Sequence, residues 1–286
     1  MKMEAAIFFD SYLPDALRRA LDYAGDDGYV ASLPALLRAR ANAPFDNMIW
    51  NTWFSPNSEE SLLTTPQGNL VVVTVHGGGI FGSPDRFEKL YRADTSRFSE
   101  VSFTGLFAAK ITEQEAHDVL RGHLPDGNDI PVFSYDEIRQ GVADLPRHYA
   151  VVMDFEMAKN CRCGFEKFDD LKDDPLMIVR AGGVEATAKY LDKARSRHNT
   201  QKMGSLHPFN SIHDPDQPQT RVPTLAGNLG GTGTEQDDGD ILGYDAEFGI
   251  GGDCSIHNTS MINVARYVAV APRDESTSVR HLPFHA

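Results

Sequence analysis

Three cysteines in 286 residues are too few, and odd in number, for a disulfide framework. Cys161 and Cys163 flank a single arginine, too close to bridge each other easily, so the thiols are expected to be reduced. No apolar run approaches the roughly 18 to 20 residues that span a bilayer. The opening "MKMEAAIFF" is interrupted by Asp10 before a secretory hydrophobic region can form. A cytoplasmic protein with no membrane partner is the expectation. Positive charge is scarce: 27 Lys and Arg stand against 41 Asp and Glu, a formal charge of −14. Repulsion from a polyanionic backbone then argues against a nucleic-acid partner. The same acid excess, with arginine outnumbering lysine, also suits a high-salt cytoplasm. No P-loop ending in Gly-Lys-Ser/Thr is present, which leaves nucleotide binding a secondary option, and the metalloprotease H-E-x-x-H is absent as well.

What remains is ordinary globular material, 41% hydrophobic and 24% charged, enough to bury a sizeable core. The first part reads as helical. In "SYLPDALRRALDYAG", Leu17, Leu21 and Ala24 share a face, Pro14 suits a first turn and Gly25 a left-handed cap; "SLPALLRARA" repeats the idea with Ser32 and Pro34. The segment "APFDNMIWNTWF" concentrates Trp50 and Trp53, a core or subunit-interface cluster.

From Asn69 the texture changes. "NLVVVTV" is a β-branched run suited to a strand buried on both faces. "VSFTGLFAAK", "IPVF", "HYAVVMDF" and "PLMIVR" are further strand candidates, alternating with helices. Capping boxes pair Thr112 with Glu115 and Ser134 with Glu137. Repeated β-α units predict an α/β fold, a mostly parallel sheet with helices on both faces. One domain over 1–286 is expected, with a helical N-terminal extension (1–65), a β-α core (66–200) and a loop-rich, glycine-rich C-terminal part (201–286). "SMINVARYVAVA" near the end reads as strand or helix.

In such sheets ligands bind beyond the carboxyl ends of the strands, and this nominates residues. His76, Asp154 and Glu156 are the candidate catalytic groups; Lys110 and Arg180 are candidate substrate-binding cations. The three glycines after His76, Gly77, Gly78 and Gly79, free backbone N–H groups to face an anion. In the C-terminal loops, His207, His213, Asp214 and His257 supply imidazole and carboxylate donors of the kind that hold zinc, manganese or iron. A divalent metal is therefore the expected cofactor.

"VVVTVHGGGIFGSPD" resembles the oxyanion-hole segment of hormone-sensitive-lipase-type α/β-hydrolases, which implies that Gly77 and Gly78 donate to a tetrahedral intermediate. The chain lacks the G-x-S-x-G elbow such enzymes use. "EFGIGGDCSIHN" resembles the Gly-Gly-Asp-His-Ser segment of the arginase and agmatinase family, with Cys254 in place of the metal-binding histidine. No family is claimed from either. The expected function is a metal-assisted hydrolase of a small carboxylate- or amide-bearing substrate. The alternatives are a metal-free hydrolase using Ser255 or Cys254, and a non-catalytic binding or homo-oligomeric assembly protein.

Overall fold

The structure is a computed structural model that describes residues 2–10, 12–50, 52, 54–95, 109–161, 166–197, 202–203, 218–225, 250–251 and 265–273. In chain order the elements are β1 (Lys2–Asp10), α1 (Leu13–Ala24), β2 (Tyr29–Val30), α2 (Leu33–Asn42), a 3-10 turn (Met48–Trp50), β3 (Ser58–Thr64), β4 (Leu70–His76) and α3 (Pro84–Thr95). Next come β5 (Ala109–Lys110), α4 (Glu113–Leu120), β6 (Val132–Ser134), α5 (Tyr135–Gln140), β7 (Tyr149–Asp154), α6 (Phe155–Lys159), β8 (Glu166–Lys167), α7 (Phe168–Lys172), α8 (Pro175–Ala181) and α9 (Val184–Arg197). Short strands β9 (Lys202–Met203), β10 (Gln219–Arg221), β11 (Thr224–Leu225) and β12 (Ile250–Gly251) precede β13 (Ala265–Arg273).

The central sheet has the order β5-β10-β3-β4-β7-β6. Every pairing in it is antiparallel except β6 with β7. The expected mostly parallel α/β sheet is therefore corrected. Its physical cause lies at Thr65–Asn69. There Thr65 N–H donates to Asn69 O at 2.8 Å and Gly68, at φ 86°, donates to Thr65 O, folding β3 straight back onto β4. A hairpin needs only a tight turn, whereas parallel neighbours need a crossover. The strand β4 is buried on both faces as its β-branched run implies, but helices cover the two faces of an antiparallel sheet as well as those of a parallel one.

Two further differences from the sequence reading concern element type, and one segment read as strand or helix is settled. The expected N-terminal helical extension contains α1 and α2 but also β1, β2 and β3. The ambiguous segment near the end is a strand, β13, which pairs with β1 over nine residues from Lys2↔Arg273 to Asp10↔Ala265. "PLMIVR" is the helix α8: Asp174 caps it by accepting from Met177 N at 2.9 Å, Pro175 opens it, and Gly182 closes it in the left-handed region. Leu176 through Ala181 are all buried. A helix covered on every side has no polar face, so its sequence shows no 3.6-residue period and passes for a buried strand.

The capping boxes at α4 and α5 form as expected, with Thr112 N to Glu115 Oε2 at 2.8 Å and Ser134 N to Glu137 Oε2 at 2.7 Å. Ser32 stands at the N-cap of α2 but makes no side-chain cap; Ser58 Oγ instead accepts from Leu33 N at 2.9 Å. One face of the central sheet, with Val71, Val73 and Val75, packs on Ala16, Leu17 and Ala20 of α1, Phe87 of α3 and Val119 of α4. The other, with Leu62, Val72, Val151 and Met153, packs on Ile138 of α5 and on Leu176 and Val179 of α8. Trp50 is fully buried in a third cluster and stacks on Tyr190 at 6.0 Å, so it is core; Trp53 lies outside the described residues. Among the described residues no helix is long and apolar enough to cross a membrane.

Candidate functional site

Strand β3 places Ser58, Glu59, Glu60 and Ser61 in the middle of a sheet buried on both sides, where polar groups require partners. Alternation sends Ser58 and Glu60 to one face and Glu59 and Ser61 to the other. Each acidic residue then meets a group that the sequence reading had assigned to a ligand.

On the first face Glu60 forms a forked ion pair with Arg180, with Arg180 Nη2 to Glu60 Oε2 at 2.8 Å and both side chains fully buried. Burial works against the Arg180 charge, but Glu60 outweighs it and holds the guanidinium above its ordinary pKa. Arg180 is thus committed to the core and is not presented to a substrate. His76 sits beside this pair. Its Nε2 lies 3.0 Å from Val179 O and its Nδ1 3.0 Å from Ser58 Oγ. A carbonyl only accepts, so Nε2 carries the proton and Nδ1 accepts from the serine hydroxyl. Burial pushes the His76 pKa down to about 4. The ring is a neutral strut tying β4 to β3 and α8.

On the second face the turn after His76 closes on the Glu59 carboxyl group. Its Oε2 accepts from Phe81 N at 2.9 Å, with Ile80 N–H also drawn toward it. Gly77 and Gly79 take φ of 84° and 111°, a region that side chains rarely enter, and a Cβ on Gly79 would fall 2.2 Å from Glu59 Cδ. Burial lifts the Glu59 pKa to about 7 against the pull of the two amides. Gly77 N–H is also taken, donating to Asn57 O at 2.7 Å. Gly77, Gly79 and Gly82 carry the G-x-G-x-x-G spacing of dinucleotide-binding loops, but here the loop follows an antiparallel strand and closes on the protein's own carboxylate.

The remaining nominated residues do not converge. His76 is opposite Tyr149 and Asp154 is opposite Val71 on the same ladder, so the two ends lie roughly 17 Å apart at about 3.3 Å per residue. In a parallel sheet those strand ends would share a rim; antiparallel pairing sends them to opposite edges. Asp154 is exposed and caps α6, accepting from Met157 N at 3.1 Å. Glu156 is exposed next to Lys159, and Lys110 is exposed on the edge strand β5. Cys161 is buried and donates to Met157 O, with burial pushing its thiol up to about 12. His207, His213, Asp214, Cys254, Ser255 and His257 lie outside the described residues. Among the described residues no three His, Cys, Asp or Glu side chains are grouped so as to hold a metal ion.

A cavity of about 120 Å³ opens at the His76–Tyr149 end of the β4–β7 ladder. Its walls are the start of α2 (Ser32, Pro34, Ala35), Arg38, Tyr29, Gly77 and the segment Arg147-His148-Tyr149. The Arg147 guanidinium lies over the Tyr29 ring at 4.8 Å. Tyr149 packs on His76 at 4.9 Å, is 2% exposed, and its hydroxyl has no hydrogen-bond partner among the described residues. That hydroxyl lies beside Gly182 and Pro34, the latter a wall of the cavity. Burial raises the Tyr149 pKa, and Arg38 is close enough to oppose the rise. Sequence reasoning passed over this site. The available signal was "PRHY", an arginine and a histidine directly before a strand in an acidic chain.

No protein family matches the chain by sequence, and no curated protein does so either. A solved structure described as "Accommodation of massive sequence variation in Nanoarchaeota by the C-type lectin fold" superposes with a TM-score of 0.61 at 19% identity, over 93% of this chain and 97% of its own. The likeness shows the fold alone, a C-type lectin fold in place of the expected parallel α/β scaffold. With that scaffold go the expected metal-assisted hydrolase and its serine or cysteine variant. Their shared rim of strand ends does not exist, and the described groups meant to bind or transfer protons serve the core, a helix cap or an exposed surface.

Proposed function

We propose that the protein is a non-catalytic binding protein that takes the terminal group of a small ligand in the cavity between α2 and the start of β7. The observation that carries this reading is the Tyr149 hydroxyl, a buried donor left without a partner beside a cavity wall. A buried polar group unpaired in the free protein costs stability, and a ligand that reaches it recovers the missing hydrogen bond. The volume of about 120 Å³ falls below the roughly 300 to 1,000 Å³ that encloses a drug-sized molecule. It suits a head group whose remainder stays outside. The C-type lectin fold supports the reading as a scaffold that has kept its architecture at 19% identity, so that its surface is free to diverge around a fixed core.

A screen of small polar fragments by amide NMR tests the proposal. Bound fragments are expected to shift Ser32, Ala35, Gly77 and Tyr149, and the protein is expected to leave p-nitrophenyl acetate unhydrolysed above the buffer rate. Fragments that bind only elsewhere, or turnover abolished by His76→Asn, would overturn it.

A further inference from the structure

Resting on that reading, we infer that the cavity receives an oxyanion, the carboxylate or phosphate group of its ligand. The charge distribution is the first reason. The chain carries −14 overall, yet Arg38, Arg147 and His148 line one small cavity with no acidic side chain among its walls. None of the three makes an ion pair with any described residue. Among the exposed arginines elsewhere, Arg19 pairs with Asp10 and Arg195 with Asp169, while Arg121 and Arg139 stand outside the cavity without an ion pair among the described residues.

The second reason is geometry. The Tyr29 ring occupies one face of the Arg147 guanidinium, which fixes the plane and leaves the N–H edge available for the two parallel hydrogen bonds that a carboxylate or phosphate accepts. The start of α2 lines the cavity at Ser32, Pro34 and Ala35, but its first-turn amides are largely taken: Leu33 N–H donates to Ser58 Oγ, Leu36 N–H to Ser32 O, and Pro34 has none. The Tyr149 hydroxyl lies beside Pro34, one of the cavity walls. Two guanidinium forks donate and no acidic side chain stands among the walls, and this donor excess is what selects an acceptor-only group.

The test is an amide-NMR titration of the whole chain at constant ionic strength with sodium acetate, sodium phosphate and, as a neutral probe, glycerol. The expected result is saturable shifts confined to Ser32–Ala35, Arg38, Gly77 and Arg147–Tyr149 with one or both anions, the tighter one identifying the source of the oxyanion. Arg38→Met with Arg147→Met, both surface changes, should weaken that binding at least tenfold without lowering the melting temperature. Tyr149→Phe should weaken it severalfold. Anion shifts that never saturate, or that survive the double arginine variant, overturn the inference. Glycerol saturating the same residues while both anions fail would overturn it too, and would leave the cavity standing as a ligand site of another chemistry.

Discussion

Glu60 and Arg180, 120 residues apart in sequence, meet inside the core with Nη2 and Oε2 at 2.8 Å and no solvent contact on either side chain. The pair ties β3 to α8 at the point where His76 also reaches across to Val179 O. Removing one partner strands an uncompensated buried charge, whereas removing both does not. Glu60→Ala and Arg180→Ala should each lose about 3 to 5 kcal/mol in urea denaturation. Glu60→Leu with Arg180→Met should recover most of that. Additive losses in the double variant would contradict the pairing.

Glu59 and His76 set opposing pH dependences. The Glu59 pKa rises from 4.5 in the unfolded chain to about 7. Its neutral form favours the fold, so its contribution is complete below pH 4.5 and is lost as pH climbs to 7. The His76 pKa falls from 6.5 to about 4, so its contribution is complete above pH 6.5 and is lost as pH drops toward 4. Each amounts to about 3 kcal/mol at about 1.4 kcal/mol per pKa unit, and between pH 4.5 and 6.5 the two slopes cancel. Chemical denaturation should show Glu59→Gln losing stability on acidification through that window and His76→Asn gaining it.

The glycine turn should tolerate no side chain at Gly79. Gly79→Ala combines φ of 111° with a Cβ 2.2 Å from the Glu59 carboxyl carbon, and should cost at least about 2 kcal/mol in thermal or urea unfolding. Gly68→Ala, at φ 86° in open space, should cost about 1 kcal/mol. Equal costs would show that the Glu59 contact adds nothing.

Tyr149→Phe removes the unpartnered hydroxyl. Stability should stay level or rise by about 1 kcal/mol. A loss of 2 kcal/mol or more in the melting analysis would reveal a hydrogen bond that the described residues do not supply.

Much of the local structure was legible. The caps at Thr112 and Ser134, the strand β4 and the helix α1 are written in neighbouring residues. The sequence nominated the amides of Gly77, Gly78 and Gly79 for a ligand's anion, whereas in this turn the amides of Phe81 and Ile80 meet a carboxyl group and Gly77 donates to Asn57 O. That this carboxyl group is Glu59 was not legible, because "SEESLLT" reads as a polar surface stretch until β3 is known to lie between β4 and β10. The cavity was missed for a similar reason: Arg38 and Arg147 lie more than a hundred residues apart and are brought to it by different elements.

The sequence by itself determined where turns, caps and the buried strand fall, because those depend on hydrogen bonds and torsions a few residues long. Only the tertiary structure decided the direction of the strands, the helical state of Leu176–Ala181, and whether each polar group faces solvent, a ligand or another side chain. Those outcomes rest on contacts such as His76 with Val179 and Glu60 with Arg180. Their energies arise from desolvation in a core that no local stretch of chain contains.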